Sequence, residues 1–468
     1  MLLYNKILTS SMFRRIDLEN FRSFTKATLD LGGKGGTAKP YALIYGENGS
    51  GKTNLIESVS FLTQSMRTLV IGDDIARQRA ILKNLRDVED GSSILSQSMD
   101  LMDRAFEEIE MAASSISICD YARTVKTIGS DTDMRLVYSF IVDGKEAEYE
   151  LRFSDDGKVV HERLNYFINS RSGRYFEIDG RNGPATILFG NGLFTNRRFK
   201  AQMKELVEKF WGNHTFMSIL YAEYRRSNRE YIEENVRQGM GMIISYLDDI
   251  VVSTPLDGRD PRVWPFEPIS GTIPSESEHL LDAYEEAIDT FFTRMYTDVG
   301  KTYYKKAEKD GNIAYMLMFS KRISGTFREV PATMESTGTR KLLSMMPALL
   351  SCVDGSVVFV DELDSGIHDK LIHDLMKEVL PSVKGQMVVT THNTSLIKDT
   401  DPSKVYVIDL DAVGNKDIRS VDAVTRTQKS HNNTARYLEG MFGGVPYIGM
   451  MDLKDISDTL GEKLGRDP

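Results

Sequence analysis

Apolar and polar positions along the chain change rhythm several times, and each change predicts an element. From Phe13 to Leu31 apolar residues alternate at Ile16 and Leu18 and again at Leu29 and Leu31, which predicts two short strands. A Gly-rich loop over 32–36 follows. Pro40 then introduces Tyr41-Ala42-Leu43-Ile44-Tyr45, an apolar run bounded by turn residues and short enough to be a buried strand. Residues 58–113 read as mainly helical and polar, with a loop over 87–93. Between 121 and 180 the period becomes two. Strands are predicted over 134–142, 147–153 and 159–168, separated by Asp143-Gly144 and Asp156-Gly157, which makes an antiparallel layer. Helical periodicity returns over 199–252, a Pro- and Gly-rich loop covers 255–274, and a helix is predicted over 276–296. The last third alternates strand 357–360, helix 370–380, strand 387–390, a short helix and strand 405–408. Such alternation predicts a parallel sheet covered by helices.

Composition narrows the function classes. With 468 residues, 41% of them hydrophobic and 27% charged, the chain has ample apolar material for a core and no signature of disorder. The formal net charge of −10 argues against a uniformly basic nucleic-acid coat but permits a local basic groove. Cys119 and Cys352 are far apart and without CxxC partners, which excludes a disulfide scaffold and a Cys-rich zinc site. No apolar run reaches membrane-helix length and no signal-peptide core opens the chain, so a cytoplasmic protein is expected. Met12 opens the first strand pattern, leaving residues 1–11 as a short arm or a start-site extension.

Chemistry first appears at the end of the Tyr41–Tyr45 strand. Gly46-Glu47-Asn48-Gly49-Ser50-Gly51-Lys52-Thr53 fits the phosphate-loop pattern GxxxxGK[ST], flanked by that strand and by an apolar-periodic helix beginning near Asn54. Glycines let backbone N–H groups turn inward around phosphate oxygens, Lys52 reaches the β- and γ-phosphates, and Thr53 Oγ can hold Mg²⁺. The second element is Val357-Val358-Phe359-Val360-Asp361-Glu362. Beside a phosphate loop, Asp361 at the end of a parallel strand is expected to hold Mg²⁺ and Glu362 to orient and deprotonate the attacking water. The third is Thr390-Thr391-His392-Asn393, which brings His392 to the same sheet edge, within reach of a γ-phosphate. The fourth is Glu335-Ser336-Thr337-Gly338-Thr339-Arg340 before an apolar helix over 341–353. Ser, Gly and Thr at a helix start form a second anion-binding terminus, but read alone the segment is explained by a helix N-cap without any ligand.

In this order the elements resemble the ABC-type ATPases of the SMC/RecF/OLD clade, and especially the compact RloA-like and OLD-like AAA ATPases of bacterial anti-phage operons. The resemblance rests on Ile16-Asp17-Leu18-Glu19-Asn20-Phe21-Arg22-Ser23-Phe24, the phosphate loop, Ser336 to Thr339, Asp361-Glu362-Leu363-Asp364-Ser365-Gly366 and His392, at the two ends of the chain. It implies ATP and Mg²⁺ as cofactors, Asp361 as Walker B carboxylate, Glu362 as base, Asp364 in the D-loop and His392 as switch histidine. Ser336, Gly338 and Thr339 would form the signature loop that reads ATP on the opposite subunit, here Ser-Thr-Gly-Thr where the family has Ser-Gly-Gly. Gln64 is a candidate for the Q-loop. One phosphate loop and one signature loop per chain imply a homodimer or larger homo-oligomer, since in this clade each ATP is sandwiched between loops of two subunits.

The expected fold class is α/β, an ABC-type P-loop ATPase core with a mixed sheet, an antiparallel β layer and helices, split by a long, mainly helical insertion. Its divisions are an N-terminal ATPase lobe over 12–195, the insertion over 196–300 and a C-terminal ATPase lobe over 301–468. Lys52 and Asp361 are 309 residues apart, and sustained heptads are absent between them, so a compact insert is expected rather than a long coiled coil. Within it Arg197, Arg198, Lys200, Lys204, Tyr221, Tyr224, Arg225, Arg226, Arg229 and Tyr231 interleave basic and aromatic residues. That pattern reads either as a nucleic-acid surface or, because Glu205, Glu208, Glu223, Glu230, Glu233 and Glu234 dilute it, as a solvated or partner-binding helix face.

Asp409 and Asp411 are read as a strand ending in a solvated turn, and His368 and His373 are spaced unsuitably for one metal. OLD proteins continue into a Toprim nuclease, whereas 106 residues follow Glu362 here. The segment Asn432 to Tyr447 resembles the tail of RloA-like ATPases, which implies a separately encoded effector such as a Toprim-type or RloB-like nuclease. The expected function is a homo-oligomeric ATPase acting as sensor or scaffold in anti-phage defence. A RecF-like repair ATPase that clamps DNA is the alternative, and a scaffold that binds ATP without turning it over is a third reading.

Overall fold

A computed structural model describes residues 11–71, 117–168, 171–227, 229–254, 264–309, 311–424, 432–446 and 452–463. The loop read over 87–93 and most of the helical stretch before 113 lie outside them. The chain opens with β1 (Met12–Phe21), β2 (Phe24–Asp30), β3 (Tyr41–Gly46) and α1 (Lys52–Ser65). After α2 (Ile118–Val125) come β4 (Met134–Val142), β5 (Lys145–Phe153), β6 (Val159–Ile168), β7 (Arg171–Asp179) and β8 (Thr186–Phe189). Helices α3 (Arg197–Phe210), α4 (Phe216–Arg226), α5 (Arg229–Asn235) and α6 (Gln238–Asp248) precede β9 (Val251–Ser253), β10 (Ser270–Pro274) and α7 (Glu278–Met295). Next are β11 (Val299–Lys309), β12 (Asn312–Ile323), β13 (Thr326–Pro331), α8 (Thr337–Asp354), β14 (Val357–Val360), α9 (Asp369–Ser382) and β15 (Gln386–Thr390). The described chain ends with α10 (Ser395–Asp399), β16 (Val405–Leu410), β17 (Lys416–Ser420), α11 (Val421–Val424), α12 (Asn433–Leu438) and α13 (Leu453–Lys463).

The α/β class expected from the pattern is the class observed. A six-stranded sheet in the order β17-β16-β3-β15-β14-β9 is parallel except for β17, which returns antiparallel on β16. Its strands are apolar at successive positions because both faces are covered. Ala42, Ile44, Val357, Phe359, Val388 and Ile408 join one core with α1 and the antiparallel layer. Leu43, Tyr45, Val358, Val360, Val389 and Val407 join a second core with α7, α8 and α9.

The antiparallel layer has seven strands, β2-β1-β4-β5-β6-β7-β8. Buried Gln386 stitches it to the parallel sheet: its Nε2 donates to the Phe13 and Lys39 carbonyls at 2.9 Å and its Oε1 accepts from Phe13 N at 2.8 Å. A third sheet, β10-β12-β11 with β13 on β12, packs with α7.

The span 196–300, expected as a mainly helical insertion, holds α3 to α7, and Phe199, Met203, Val207, Phe216 and Ile243 share a core with the antiparallel layer. Two strands within it escaped the pattern. β9 is three residues long and owes its state to pairing with β14, and β10, inside the expected 255–274 loop, pairs with β12. β9 is too short to show a period of two, and Ser270-Gly271-Thr272-Ile273-Pro274, with one large apolar residue, shows none. Cys119 and Cys352 are free and buried. Among the described residues no helix is long and apolar enough to cross a membrane.

Candidate functional site

β3 ends and α1 begins across the phosphate loop, so the loop lies at the carboxyl edge of the parallel sheet. Two of its glycines are required by space as well as by backbone. Gly51 has φ +108°, and a Cβ there would lie 2.8 Å from the Phe24 ring; at Gly46 a Cβ would meet Ser50 Oγ at 2.5 Å. Ser50 Oγ is buried and has no partner. Lys52 folds back over the loop, its ammonium donating to the Gly46 carbonyl at 2.8 Å and the Glu47 carbonyl at 3.0 Å. Burial lowers its pKa, while Asp361, Glu362 and Asp364 act in the opposite direction. The buried ammonium and the backbone N–H groups of the loop's helix start make this edge of the sheet suited to phosphate.

Asp361 and Glu362 follow β14, one parallel strand from β15 and two from β3. Thr53 Oγ1 donates to Asp361 Oδ2 at 2.8 Å. Thr390, ending β15, donates its hydroxyl to Asp361 Oδ1 and accepts Glu362 N at 2.7 Å. Asp361 N donates to the Ser253 carbonyl of β9 at 2.8 Å. Asp361 is therefore buried between three elements, with Thr53 and Asp361 presenting adjacent hard oxygen ligands of the kind Mg²⁺ takes. Glu362 has φ +48°, a left-handed backbone uncommon outside glycine and asparagine, which turns its side chain away from the strand direction at a cost of order 1–3 kcal/mol.

Asp364 accepts His392 N with both carboxylate oxygens, at 3.2 and 3.1 Å, so the D-loop candidate holds the switch candidate by its backbone. A cavity of about 340 Å³ is lined by Asn48, Glu362, Asp364, Ser365 and His392. Ser336 caps α8, its Oγ accepting Thr339 N at 3.1 Å and sharing a proton with Thr339 Oγ1 at 2.9 Å. Gly338 abuts the Gly366 carbonyl, where a Cβ would approach to 2.6 Å. Ser336 is exposed at this end of the helix, while Thr339 is buried.

Other expectations are corrected. Gln64 lies exposed in the last turn of α1, roughly 18 Å along the helix from Lys52 at 1.5 Å per residue, too far to be a Q-loop ligand. In the basic and aromatic cluster Tyr221 is buried with its hydroxyl on Asp248 at 2.9 Å, so this ring is committed to the core rather than to stacking bases, while Tyr231 touches Phe199 edge-on and stays exposed. The Arg229 side chain lies outside the described residues. Asp409 is not simply solvated: it accepts Gly444 N at 3.1 Å and Arg419 Nη2 at 3.0 Å, fastening the C-terminal segment beside Gly46. His368 caps α9, and His373 pairs with Asp399 at 2.9 Å. Thr390, Ser253 and Lys416, whose ammonium reaches the Gly49 carbonyl at 2.6 Å, escaped sequence reasoning because their roles depend on strand order. The signal available for Thr390 was a hydroxyl at the strand end, two residues before His392.

Comparison with known proteins agrees with this geometry. A family model described as "AAA domain" matches residues 15–239, and one described as "AAA domain, putative AbiEii toxin, Type IV TA system" matches residues 260–398. The chain is 32% identical over 186 residues to the DNA replication and repair protein RecF of Brucella abortus, covering 34% of this chain and 44% of that protein. It is 41% identical over 61 residues to RecF of Rhizobium leguminosarum bv. trifolii, covering 13% and 15%. The chain thus spans less than half the length of these curated relatives. Among solved structures it is similar to an SMC head bound to the C-winged helix domain of ScpA (14% identity, 87% and 97% coverage, TM-score 0.44) and to the SMC head domain from Thermotoga maritima (13%, 88% and 99%, TM-score 0.36). Phosphate loop, paired carboxylates and switch strand thus meet at one sheet edge in a chain whose residues 15–239 and 260–398 match models of AAA domains and part of which is similar to RecF.

Proposed function

We propose that the chain binds ATP with Mg²⁺ and hydrolyses it as a homodimer or larger homo-oligomer. The observation that carries this reading is the contact of Thr53 Oγ1 with Asp361 Oδ2 at 2.8 Å, which joins the phosphate loop to the carboxylate strand across 308 residues of sequence. Thr53 and Asp361 would hold Mg²⁺, which when bound neutralises phosphate charge and orients the γ-phosphate. Lys52 exchanges its carbonyl partners for phosphate oxygens. Glu362, held over the cavity by its left-handed backbone, accepts the proton of the attacking water, and His392 hydrogen-bonds the γ-phosphate. Ser336 at the exposed start of α8, with Gly338 and the buried Thr339 behind it, completes the ATP site of a second copy, and Asp364 orients the switch strand.

The finer role is that of a sensor or scaffold in anti-phage defence, whose ATP state controls a separately encoded effector such as a Toprim-type or RloB-like nuclease. It is supported by the order of motifs and by the toxin-antitoxin description of the family model over 260–398. The matches to RecF support a second reading, an ATPase that itself clamps DNA.

One experiment tests both levels. Glu362→Gln should lower ATP turnover by at least about a hundredfold while ATP binding persists, and the trapped protein should elute at twice the chain mass or more only with ATP and Mg²⁺. Unchanged turnover would leave an ATP-binding scaffold. Co-purification from native neighbouring genes then separates the roles: a retained effector favours the defence scaffold, and retained DNA with a steep salt dependence favours the clamp.

A further inference from the structure

Lys416 opens β17 and is 8% exposed. Its ammonium donates to the Gly49 carbonyl at 2.6 Å and to Ser23 Oγ at 2.7 Å, and it lies 5.8 Å from the centroid of Phe24, the ring packed under Gly51. Ser23 Oγ also accepts Asn54 Nδ2 at 2.6 Å. The crest of the phosphate loop, the β1–β2 turn and the β16–β17 hairpin therefore meet at one ammonium group, and the first turn of α1 joins them through the Ser23 hydroxyl. Both of its acceptors are neutral. Burial lowers its pKa, and Glu47 works against that. A desolvated ammonium set against neutral dipoles is costly, and it becomes favourable where an anion completes the site.

The Gly49 carbonyl belongs to the same peptide unit as Ser50 N–H, which donates to the Glu47 carbonyl at 3.1 Å. A cation on the oxygen side fixes that peptide and polarises it, strengthening the N–H as a donor. We propose that Lys416 is a positioning residue of the nucleotide site. It fixes the Gly49–Ser50 peptide at the crest of the loop and supplies a buried positive charge behind it, which raises affinity for nucleoside polyphosphate without taking part in bond cleavage. The inference deepens the ATPase reading above and rests on it.

The test uses the full chain, a fluorescent ATP analogue for Kd and steady-state ATP hydrolysis for KM and kcat. Lys416→Met should raise Kd and KM about tenfold with kcat within about twofold, the loss of one charge-assisted hydrogen-bond system, and Lys416→Arg should restore most of the affinity. Ser23→Ala should shift KM in the same direction, and the two changes together should give less than the product of their separate effects. Unchanged Kd and KM in Lys416→Met, a fall in kcat alone, or independent effects of the two changes would overturn the proposal. If Met at 416 prevents folding, Ser23→Ala on its exposed turn decides the matter: a raised KM at constant kcat supports the role, and an unmoved KM removes it. Wild-type protein that binds no ATP would instead sink the ATPase reading itself.

Discussion

At the scale of single residues the site is organised by the hydroxyl of Thr390, which ends β15 two residues before His392. Thr390 Oγ1 has one proton and spends it on Asp361 Oδ1, while its lone pairs accept Glu362 N at 2.7 Å. One side chain therefore orients the carboxylate proposed to hold Mg²⁺ and secures the left-handed backbone of the proposed base. Thr390→Val keeps the shape, removes both bonds and leaves a buried carboxylate oxygen unpaired, a cost of about 1–3 kcal/mol expressed where Glu362 must be held. The expected outcome is a kcat lowered roughly 10- to 100-fold with ATP affinity within about threefold, read from steady-state kinetics beside a nucleotide titration. A kcat within twofold of wild type would show that Thr390 does not set this geometry. Lys52, Thr53, Asp361 and Glu362 were legible because local spacing places them. Thr390 was not, because it meets Asp361 only through the parallel register that pairs Val360 with Val389.

Elements were legible where their own period fixed them and illegible where a partner did. β6 was read over its full length, yet its pattern hid Glu162, an acid on the core face beside Leu164 and Tyr166. The structure explains it. Oε1 accepts Tyr149 Oη at 2.8 Å and Met217 N at 3.1 Å, and Oε2 accepts Trp211 Nε1 at 2.9 Å and Phe216 N at 2.6 Å. A carboxylate from the antiparallel layer thereby satisfies the first N–H groups of α4 and sits at the positive end of its dipole. This contact joins helices expected as an insertion to the antiparallel layer. Glu162→Gln replaces one double acceptor by an NH₂ facing two donors, so it should cost about 3 kcal/mol, seen as a lower urea midpoint at unchanged m-value. Near-wild-type stability would mean that the buried side chain is already protonated.

For the whole molecule, the two cores share the six-stranded sheet as their common wall, so loss of the antiparallel layer removes the cover of one sheet face and propagates into global unfolding. The solvent face of that layer carries a charge network centred on Glu150, which is 2% exposed. Arg135 Nε and Arg152 Nε donate to its Oε1 at 2.7 and 2.8 Å, and Arg163 Nη2 donates to Oε2 at 2.7 Å. Burial by itself would raise this carboxyl, but the hydrogen bonds and charges of Arg135 and Arg152 outweigh it and hold the pKa at about 2. The hydrogen bond from Arg181 likewise holds Asp179 at about 2. The folded state thus releases these protons more readily than the unfolded chain, whose carboxyls titrate near pH 4. Their contribution is fully present above that value and is lost as pH falls toward 2. The urea midpoint should hold level from about pH 7 to 5 and fall progressively below about pH 4.5. Glu150→Gln should lower the plateau, since three guanidinium groups lose their anion, and flatten the acid limb, since one linked proton is gone. An acid limb equally steep in that variant would place the linkage on other carboxylates and remove the network from the stability of the layer that carries α1 and its phosphate loop.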